Sequence, residues 1–379
     1  MIALARKTLV HEWRRFTPAV LAVGFSGLLL LVQAALVLGI FGSAAVSVTA
    51  SSADLWAGFP GTQSVNFGRS IGADVAMRLR MDPEVTAVEP YLWVEGDWHN
   101  SRVGGGNIPV FVSGLRTQAD AMMFSKLLST GLRQRLAEPG AVVVDRSDLA
   151  QLGVRVGDHA WINGQRVRLV AALSGLRALG GVNVLASMDT ARSMETPERA
   201  GAAGATYFVA GLRDASRAEA VQARLQPAPA FGPAEIWTAT EFAERSQRYW
   251  LLDTGAGVAV LFMAGIVCLV GAVITSQSLS AVVQSSAREY AMLNALGASV
   301  MSLSRVVLEQ AFWIGLMGVG VAGVMGALLL SAAAQYDIPV AMNSVVAVGC
   351  AALVAGLAAV SGLMATRGLL KADASLLLR

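Results

Sequence analysis

The sequence predicts a membrane protein with four transmembrane α-helices and a large α+β extracytoplasmic domain inserted between helices 1 and 2. Hydrophobic residues make up 55% of the 379 residues and charged residues only 15%. Soluble chains carry roughly 25% charge, so a soluble enzyme or a nucleic-acid-coating protein is excluded. Four stretches lack Asp, Glu, Lys and Arg, and each exceeds the ~20 residues that cross a bilayer core. These stretches are residues 16–53, 254–287, 310–336 and 338–366.

These stretches divide the chain into nine segments. The predicted boundaries are a cytoplasmic amphipathic helix (1–17), span 1 (18–47), a periplasmic α+β domain of two subdomains (48–250), span 2 (251–283), a cytoplasmic loop and helix (284–304), span 3 (305–334), a short periplasmic loop (335–342), span 4 (343–366) and a cytoplasmic tail (367–379). The residues from Val48 to Trp250 contain equal numbers of basic and acidic side chains. The inserted domain is therefore neutral.

Basic residues flank the spans on one side. They precede span 1, lie between spans 2 and 3, and follow span 4, at Arg6, Lys7, Arg14, Arg15, Arg288, Arg305, Arg367, Lys371 and Arg379. The loop between spans 3 and 4 has no Lys or Arg. Since short cytoplasmic loops carry the excess of Lys and Arg, both termini are expected in the cytoplasm and the large domain outside.

The N-terminal segment has apolar residues at near-helical spacing, namely Ile2, Ala5, Leu9, Trp13 and Phe16, with Arg and Lys between them. This pattern predicts an amphipathic helix on the inner membrane surface, with a frayed charged tail as the alternative. The apolar stretch that follows is longer than the 7–15 residues of a signal-peptide core, which favours a retained anchor.

The inserted domain alternates between strand and helix patterns. Strands are predicted at Val85–Val94, Ile108–Leu115, Ala141–Asp145, Thr206–Leu212 and Glu235–Thr238, and helices at Thr117–Ala137 and Ala215–Leu225. The Asn163-Gly164 pair stands between two apolar runs in His159–Val170, which is a strong hairpin signal. The last two strands and the helix between them indicate a βαβ-like unit.

The residues that could carry chemistry are few. The three histidines, His11, His99 and His159, are too scattered for a metal-binding motif, and no glycine loop precedes a lysine as a P-loop requires. The acids nearest the spans, Asp253 and Glu309, lie at span edges, which argues against a proton-coupled transporter. We expect no catalytic residue, no metal ligand and no bound cofactor in this chain. Cys268 and Cys350 are read as packing residues inside spans.

Small residues are frequent in spans 3 and 4. Glycines that let helices approach closely are predicted at Gly315, Gly318, Gly323 and Gly326. Two tryptophans, Trp56 and Trp250, are expected at the outer membrane interface, where aromatic side chains concentrate.

The cytoplasmic loop between spans 2 and 3 contains the segment Arg288-Glu-Tyr-Ala-Met-Leu-Asn-Ala-Leu-Gly-Ala298. Its apolar spacing predicts a short helix that ends at Gly297. A plain connector would be the simpler interpretation, but such connectors need only a few residues.

This segment, after a glycine-rich span 2, resembles the cytoplasmic signature of FtsX/MacB-type ABC-transporter permeases. The upstream residues YWLLDTGAG and VGAVITSQSL are similar to the DevC subgroup, and LGVRVGDHAWINGQRVRLVAAL is similar to a hairpin of these permeases. The order of one span, a large outward domain and three further spans agrees with the family over essentially the whole chain.

The resemblance implies a permease subunit that is not itself an enzyme. A separate cytoplasmic ATPase would bind ATP and Mg²⁺ and dock against the loop helix, at Arg288, Glu289, Tyr290, Met292, Leu293, Leu296 and Gly297. The motion would be transmitted to the outer domain of a permease homodimer. DevC-like members imply a periplasmic adaptor (membrane-fusion protein), an outer-membrane duct, export across a Gram-negative inner membrane and contact with membrane lipids, without nucleic acid.

Two other classes of function remain open at this point. An FtsX-like protein of the same architecture would regulate a periplasmic cell-wall hydrolase without moving a substrate. A membrane-anchored enzyme would need a clustered nucleophile or acid–base pair, which the sequence does not provide.

Overall fold

The computed structural model describes residues 13–100, 107–195, 204–226, 233–286, 292 and 299–371. The chain forms two compact units, one of Met1–Gly39 with Val258–Arg379 and the other of Ile40–Gly257. Four apolar helices and a large α/β domain are present, as expected from the sequence.

Within the described residues, four helices are long and apolar enough to cross a membrane. They are α1 (Trp13–Gly42), α9 (Gly255–Ser285), α10 (Val300–Gln335) and α11 (Ser344–Lys371). A buried cluster joins all four, with Val23 of α1, Leu279 of α9, Ile314 of α10 and Val354 of α11 among its members. Between helices in lipid, such contacts stabilise mainly through close packing.

The unit Ile40–Gly257 contains nine strands and seven α-helices among the described residues. The strands are β1 (Leu55–Gly58), β2 (Val85–Asn100), β3 (Ile108–Leu115), β4 (Ala141–Asp145), β5 (His159–Ile162), β6 (Gln165–Leu173), β7 (Val182–Ser187), β8 (Tyr207–Leu212) and β9 (Glu235–Thr238). The helices are α2 (Val46–Thr49), α3 (Ala73–Met81), α4 (Thr130–Leu136), α5 (Leu149–Leu152), α6 (Met188–Ser193), α7 (Ala218–Leu225) and α8 (Ala239–Arg248).

The long strand β2 belongs to two sheets. Its first half pairs with β8 in an antiparallel sheet of order β2-β8-β1-β9. Its second half pairs with both β3 and β5, and the pairings β3–β7, β7–β4, β4–β6 and β6–β5 close these strands into a barrel. Both sheets therefore share one strand within a single compact unit.

Alternation along the strands separates two buried clusters, because successive side chains of a strand point to opposite faces. In β1, Leu55 and Ala57 belong to the buried cluster that contains residues of α3 and α7. Trp56, on the other face, belongs to the cluster that contains residues of α8. The barrel interior is filled mainly by aliphatic side chains, such as Val112 and Val184.

The predicted hairpin is confirmed. Asn163 and Gly164 have φ values of 49° and 79°, as a two-residue type I′ turn between β5 and β6 requires. The predicted βαβ-like unit is confirmed as well, since β8 and β9 both pair antiparallel with β1 and are therefore parallel to each other.

The predicted helix Thr117–Ala137 is wrong over its first half. Only α4 is helical, capped by the side chain of Ser129, which accepts from Leu132 N. The preceding residues form turns, and the backbone groups of Met122 and Lys126 bond residues 50–52 instead of a helix. Tertiary partners have replaced the hydrogen bonds that a helix would supply.

Candidate functional site

Most of the predicted ATPase-contacting residues lie outside the described residues: Arg288, Glu289, Tyr290, Leu293, Leu296 and Gly297. Met292 is described; its backbone is helical and its side chain is 54% exposed. The contacts described below therefore belong to the helix unit and to the part of the large domain formed by α2, α8 and the residues packed against them, which we call the base.

The four predicted packing glycines of α10 differ in their surroundings. A Cβ built on Gly318 would lie 2.6 Å from Val23 Cγ1, and one on Gly326 would lie 2.8 Å from Leu31 Cδ2, so both face α1. Gly315 faces α11, since its Cβ would lie 3.1 Å from Ala358 Cβ. No described atom lies within 4 Å of the corresponding position at Gly323.

Helices α1 and α9 are joined by a polar contact within the helix unit. The Ser26 hydroxyl is buried and donates to the carbonyl of Gly271 at 3.1 Å. Interhelical hydrogen bonds of this kind contribute about 0.6–2 kcal/mol in membrane proteins. The contact connects the two helices that lead to the large domain.

The segments next to α1 and α9 meet inside the large domain. Helix α2 follows α1 in the chain, and α8 precedes α9; the two contact each other and share a buried cluster that includes Val48 and Phe242. Trp56 lies at the centre, with ring centroids 5.7 Å from Tyr91, 5.6 Å from Tyr207 and 5.5 Å from Phe242. Trp56 has no exposed surface, so its predicted place at the membrane interface is wrong.

A chain of hydrogen bonds leads from α2 into the barrel. The Tyr91 hydroxyl donates to Ser47 Oγ at 3.2 Å and lies 2.8 Å from Ser113 Oγ. Ser113 Oγ donates to Asn183 Oδ1 at 2.8 Å. All four side chains are buried, at no more than 3% exposure. We call Ser47, Tyr91, Ser113 and Asn183 the polar chain.

The polar chain continues to the turn after β4. Asn183 Nδ2 donates to the carbonyl of Leu176, and Leu176 N donates to Asp145 Oδ2 at 2.7 Å. Asp148 is buried beside Asp145, and its Oδ2 has no hydrogen-bond partner among the described residues. Burial and the charge of Asp145 raise the pKa of the Asp148 carboxyl.

The Tyr91 hydroxyl of the polar chain is uncharged. Burial raises the pKa of Tyr91 to about 12, although its hydrogen bonds with Ser113 and Ser47 oppose the shift. Tyr207, which donates to the carbonyl of Val65 at 2.8 Å, also has a raised pKa because it is buried. Both hydroxyls therefore keep their protons and act as donors.

A second set of bonds fixes the residues that follow α2. Ser52 N donates to Met122 O, Lys126 N donates to Ala50 O, and Phe124 N donates to Ser51 Oγ at 2.9 Å. Lys126 Nζ adds a bond to the carbonyl of Thr49 at 2.7 Å. We call residues 120–126 the docking loop, since they hold residues 49–52.

A buried arginine and a buried glutamate form hydrogen bonds with the backbone of the docking loop. Arg133 is 2% exposed and donates to the carbonyls of Arg116, Ala121 and Met123. Both oxygens of Glu89 lie 3.0 Å from Met122 N. Burial raises the pKa of Glu89, opposed by the bond from Met122 and the charge of Arg116, and burial lowers the pKa of Arg133.

The junction between α8 and α9 is not a continuous α-helix. Tyr249–Asp253 form a turn of π-helix, and Thr254 is extended, with φ −102° and ψ 144°. Thr254 Oγ1 donates to Trp250 O and accepts from Gly257 N at 3.1 Å. A Cβ on Gly257 would lie 2.3 Å from the carbonyl oxygens of both Trp250 and Leu251, so only glycine fits.

The contacts of this base hold two chain segments together. Within the described residues, no group of three or more His, Cys, Asp or Glu side chains could hold a metal ion. The polar chain, the docking loop with Arg133 and Glu89, and the glycine-dependent turn each fix a segment adjoining α1 or α9.

Sequence reasoning missed this base because its polar residues form no spaced motif. One signal was available: Glu89 is the only charged residue in the mainly apolar first part of β2 (Val85–Val94), and a charged residue in a buried strand requires a partner. Ser47, Ser113 and Asn183 carried no such signal, since their partners come from distant parts of the chain.

Comparison with known protein families gives one match, to the helical C-terminal part of the chain. Residues 261–374 match the family model described as FtsX-like permease C-terminal. No curated protein matches the chain.

Three solved structures show weak similarity. The periplasmic region of MacB from Actinobacillus actinomycetemcomitans is 12% identical, covers 52% of this chain and 94% of its own, and gives a TM-score of 0.36. The extracellular domain of the noncanonic ABC-type transporter YknZ from Gram-positive bacteria is 11% identical, covers 48% and 98%, and gives 0.33. A domain of a putative permease from Porphyromonas gingivalis is 12% identical, covers 49% and 86%, and gives 0.29.

The family assignment rests on the match of residues 261–374. That match confirms the resemblance to FtsX-like permeases seen in the sequence: residues 261–374 are an FtsX-like permease C-terminal domain.

Proposed function

We propose that this permease transmits the work of a separate cytoplasmic ATPase to its large domain, which lies outside the inner membrane. The observation that carries the proposal is the base of that domain, where the segments adjoining α1 and α9 pack against each other and against one aromatic core. A domain held through both segments follows their movement as a rigid body.

The orientation of the chain follows from its charges. The basic residues Arg14, Arg15, Arg288 and Arg305 flank the same ends of the spans, which favours cytoplasmic termini and a periplasmic large domain. In this orientation the loop 284–304 faces the cytoplasm, where nucleotide is available. The ATPase would dock there, with ATP and Mg²⁺ bound in its own site.

The coupling residues of this proposal are those of the predicted loop helix. Arg288 and Glu289 would supply charged contacts to the ATPase, and Leu293 and Leu296 an apolar face. A homodimer of permeases would work with two ATPase subunits. A periplasmic adaptor and an outer-membrane duct would complete an export assembly of the DevC-like kind.

The proposal is tested with the complex reconstituted in proteoliposomes. Arg288→Ala combined with Glu289→Ala should leave the permease folded in the membrane while the ATPase either fails to co-purify or loses its stimulation by the permease. Arg305→Ala, which changes a basic residue of α10 beyond the loop helix, is the matched control and should keep both properties. Wild-type stimulation in the double variant would remove the loop from the mechanism.

A second experiment determines whether the permease serves export or regulates a periplasmic enzyme. The intact permease is isolated from membranes together with its periplasmic companions. Capture of an adaptor protein supports export, whereas capture of a cell-wall hydrolase would show the regulatory function typical of FtsX-like proteins.

A further inference from the structure

Four apolar side chains form a partly exposed patch at the end of the large domain that leads into α9. Phe67, Tyr249 and Trp250 are in mutual ring contact, with centroid separations of 5.4 Å, 6.0 Å and 5.9 Å. Leu252 lies on the same π-helical turn as the latter two. Phe67 is 47% exposed and Leu252 is 51% exposed. We call these residues the aromatic patch.

The fold holds the aromatic patch in a fixed place. Trp250 Nε1 donates to Ser64 Oγ at 3.1 Å, and a Cβ on Gly180 would lie 3.3 Å from the Trp250 ring. Asn66, next to Phe67, donates to the carbonyl of Leu179 at 2.7 Å. The patch is therefore built from two separate chain segments, is contacted by a third at Leu179 and Gly180, and presents apolar surface at a defined position. A contiguous exposed apolar surface of this kind usually marks an interaction site.

The aromatic patch is separated from the apolar helix α9 by only a few residues, and this short separation indicates that the patch lies close to the membrane. The π-helical turn ends at Asp253, two residues before α9 begins at Gly255, and α9 is long and apolar enough to cross a membrane. Two extended residues reach about 7 Å. The polar headgroup layer is roughly 5–8 Å thick on each side of the hydrocarbon core. Tyr249 to Asp253 therefore lie in or beside the headgroups, and ring contact brings Phe67 to the same depth.

The composition of the aromatic patch fits that environment. Tyr and Trp combine an apolar ring with a polar atom and concentrate at membrane–water interfaces. Two exposed arginines lie close to the patch in sequence, Arg248 directly before Tyr249 and Arg69 two residues after Phe67, and the exposed Asp253 follows Leu252. Arginines at this depth attract the phosphates of lipid headgroups.

We propose that the aromatic patch is a lipid-binding surface, through which Phe67, Tyr249, Trp250 and Leu252 contact the headgroup and upper acyl region of the outer leaflet. The partner is the bilayer itself. Phe67 is the informative residue because it is far from α9 in sequence and reaches the lipid only through the fold. This inference goes beyond the proposed function and does not depend on coupling to an ATPase.

The test uses the full-length protein in nanodiscs of phosphatidylethanolamine and phosphatidylglycerol, in a Cys268→Ala, Cys350→Ala background. A nitrobenzoxadiazole (NBD) fluorophore is attached at Phe67→Cys, and quenching by lipids that carry a nitroxide near the headgroup is measured. Val156→Cys, a 52% exposed apolar position between α5 and β5, is the matched control. We expect roughly twofold stronger quenching at position 67 than at position 156, as for a side chain at the headgroup boundary.

Two results would overturn the proposal. Equal quenching at positions 67 and 156 would show that the patch does not meet lipid. Protection of the position-67 label from both nitroxide lipid and aqueous iodide would show that protein covers it, either a second copy or another subunit. Since Phe67→Cys removes one ring of the patch, Arg69→Cys serves as a second labelling site that leaves all three rings intact. Its label should be quenched by headgroup nitroxide more strongly than the label at position 156.

Discussion

The hydroxyl of Tyr91 donates to Ser47 Oγ at 3.2 Å, so a residue of β2 is bonded directly to the helix that follows α1 in the chain. The same hydroxyl lies 2.8 Å from Ser113 Oγ on β3. One buried oxygen therefore connects the segment nearest the first membrane helix with the barrel. Such a buried group is costly to leave unpaired, which keeps the three residues in one arrangement.

Tyr91→Phe should separate the mechanical role of this oxygen from that of its ring. The ring contacts to Trp56 and Tyr207 remain, but Ser47 and Ser113 lose a buried partner. We expect the free energy of unfolding to fall by about 1–3 kcal/mol, together with reduced stimulation of the ATPase. Both are measured on the purified complex, by tryptophan fluorescence during thermal unfolding and by phosphate release.

Tyr207→Phe is the matched control for this variant. It removes another buried hydroxyl, which donates to Val65 O at 2.8 Å and is not part of the polar chain. A similar loss of stability with ATPase stimulation unchanged is expected. Equal loss of stimulation in both variants would argue that stability alone, not the polar chain, controls coupling.

Arg133→Met should release the docking loop. The guanidinium donates to three backbone carbonyls, which would be left buried without that donor, and it lies near the buried Glu89. Leaving a buried acceptor without its donor costs about 1–3 kcal/mol. Limited proteolysis should then cut within residues 117–129, and the melting temperature should fall.

Arg135→Met changes the same residue type on the same helix, at an exposed position where the guanidinium donates to the carbonyl of Val170 and to no group of the docking loop. Its effect should stay below about 1 kcal/mol, as is usual for surface substitutions. A comparable loss of stability in Arg135→Met would show that charge on α4, and not the bonds to the docking loop, is responsible.

Much of the fold could be predicted from the sequence because its signals are local. Charge-free stretches indicated the four membrane helices, and Asn163-Gly164 indicated the hairpin. The docking loop could not be predicted, because Met122 and Lys126 bond to residues 50–52 across a long separation in the chain. The candidate site could not be predicted for the same reason, because Tyr91 has partners on three different elements.

Asp148→Asn should change how stability depends on pH. Burial and Asp145 raise the pKa of Asp148, so the native state binds its proton more tightly than the unfolded chain does. The resulting stabilisation is complete below the ordinary pKa of aspartate and is lost as the pH rises through the raised value. The variant lacks this loss, so its stability relative to wild type should increase from acid to neutral pH, by the order of 1 kcal/mol per unit of pKa difference.

Asp214→Asn is a control with the opposite sign. Bonds from Ser216 lower the pKa of the exposed Asp214, so its contribution is present above the ordinary pKa and is lost as the pH falls through the lowered value. Denaturant unfolding of both variants between pH 3 and pH 8 gives the two slopes. Parallel curves for Asp148→Asn and wild type would show that Asp148 titrates normally.

Gly257→Ala should disturb the junction between α8 and α9. The added Cβ would meet the carbonyl oxygens of Trp250 and Leu251 at 2.3 Å, and backbone atoms cannot yield as a flexible side chain does. We expect a destabilisation of about 1–3 kcal/mol or more, as for other forced overpacking. Amide hydrogen exchange at residues 249–257 should become faster. Gly255→Ala, whose Cβ would meet no described atom within 4 Å, should leave exchange in this segment unchanged.

The packing of α10 against α1 can be tested with two glycines of the same helix. In Gly318→Ala the new Cβ would lie 2.6 Å from Val23 Cγ1 and 3.2 Å from Gly24 N, so the helices must separate. The overpacking should cost about 1–3 kcal/mol and lower the melting temperature in detergent. In Gly323→Ala no described atom lies within 4 Å of the Cβ, and a gain in helix propensity should leave stability equal or raise it by about 0.4–1 kcal/mol. If both substitutions behave alike, close approach at Gly318 does not hold α1 and α10 together, and the contact through Gly326 and Leu31 becomes the one to examine.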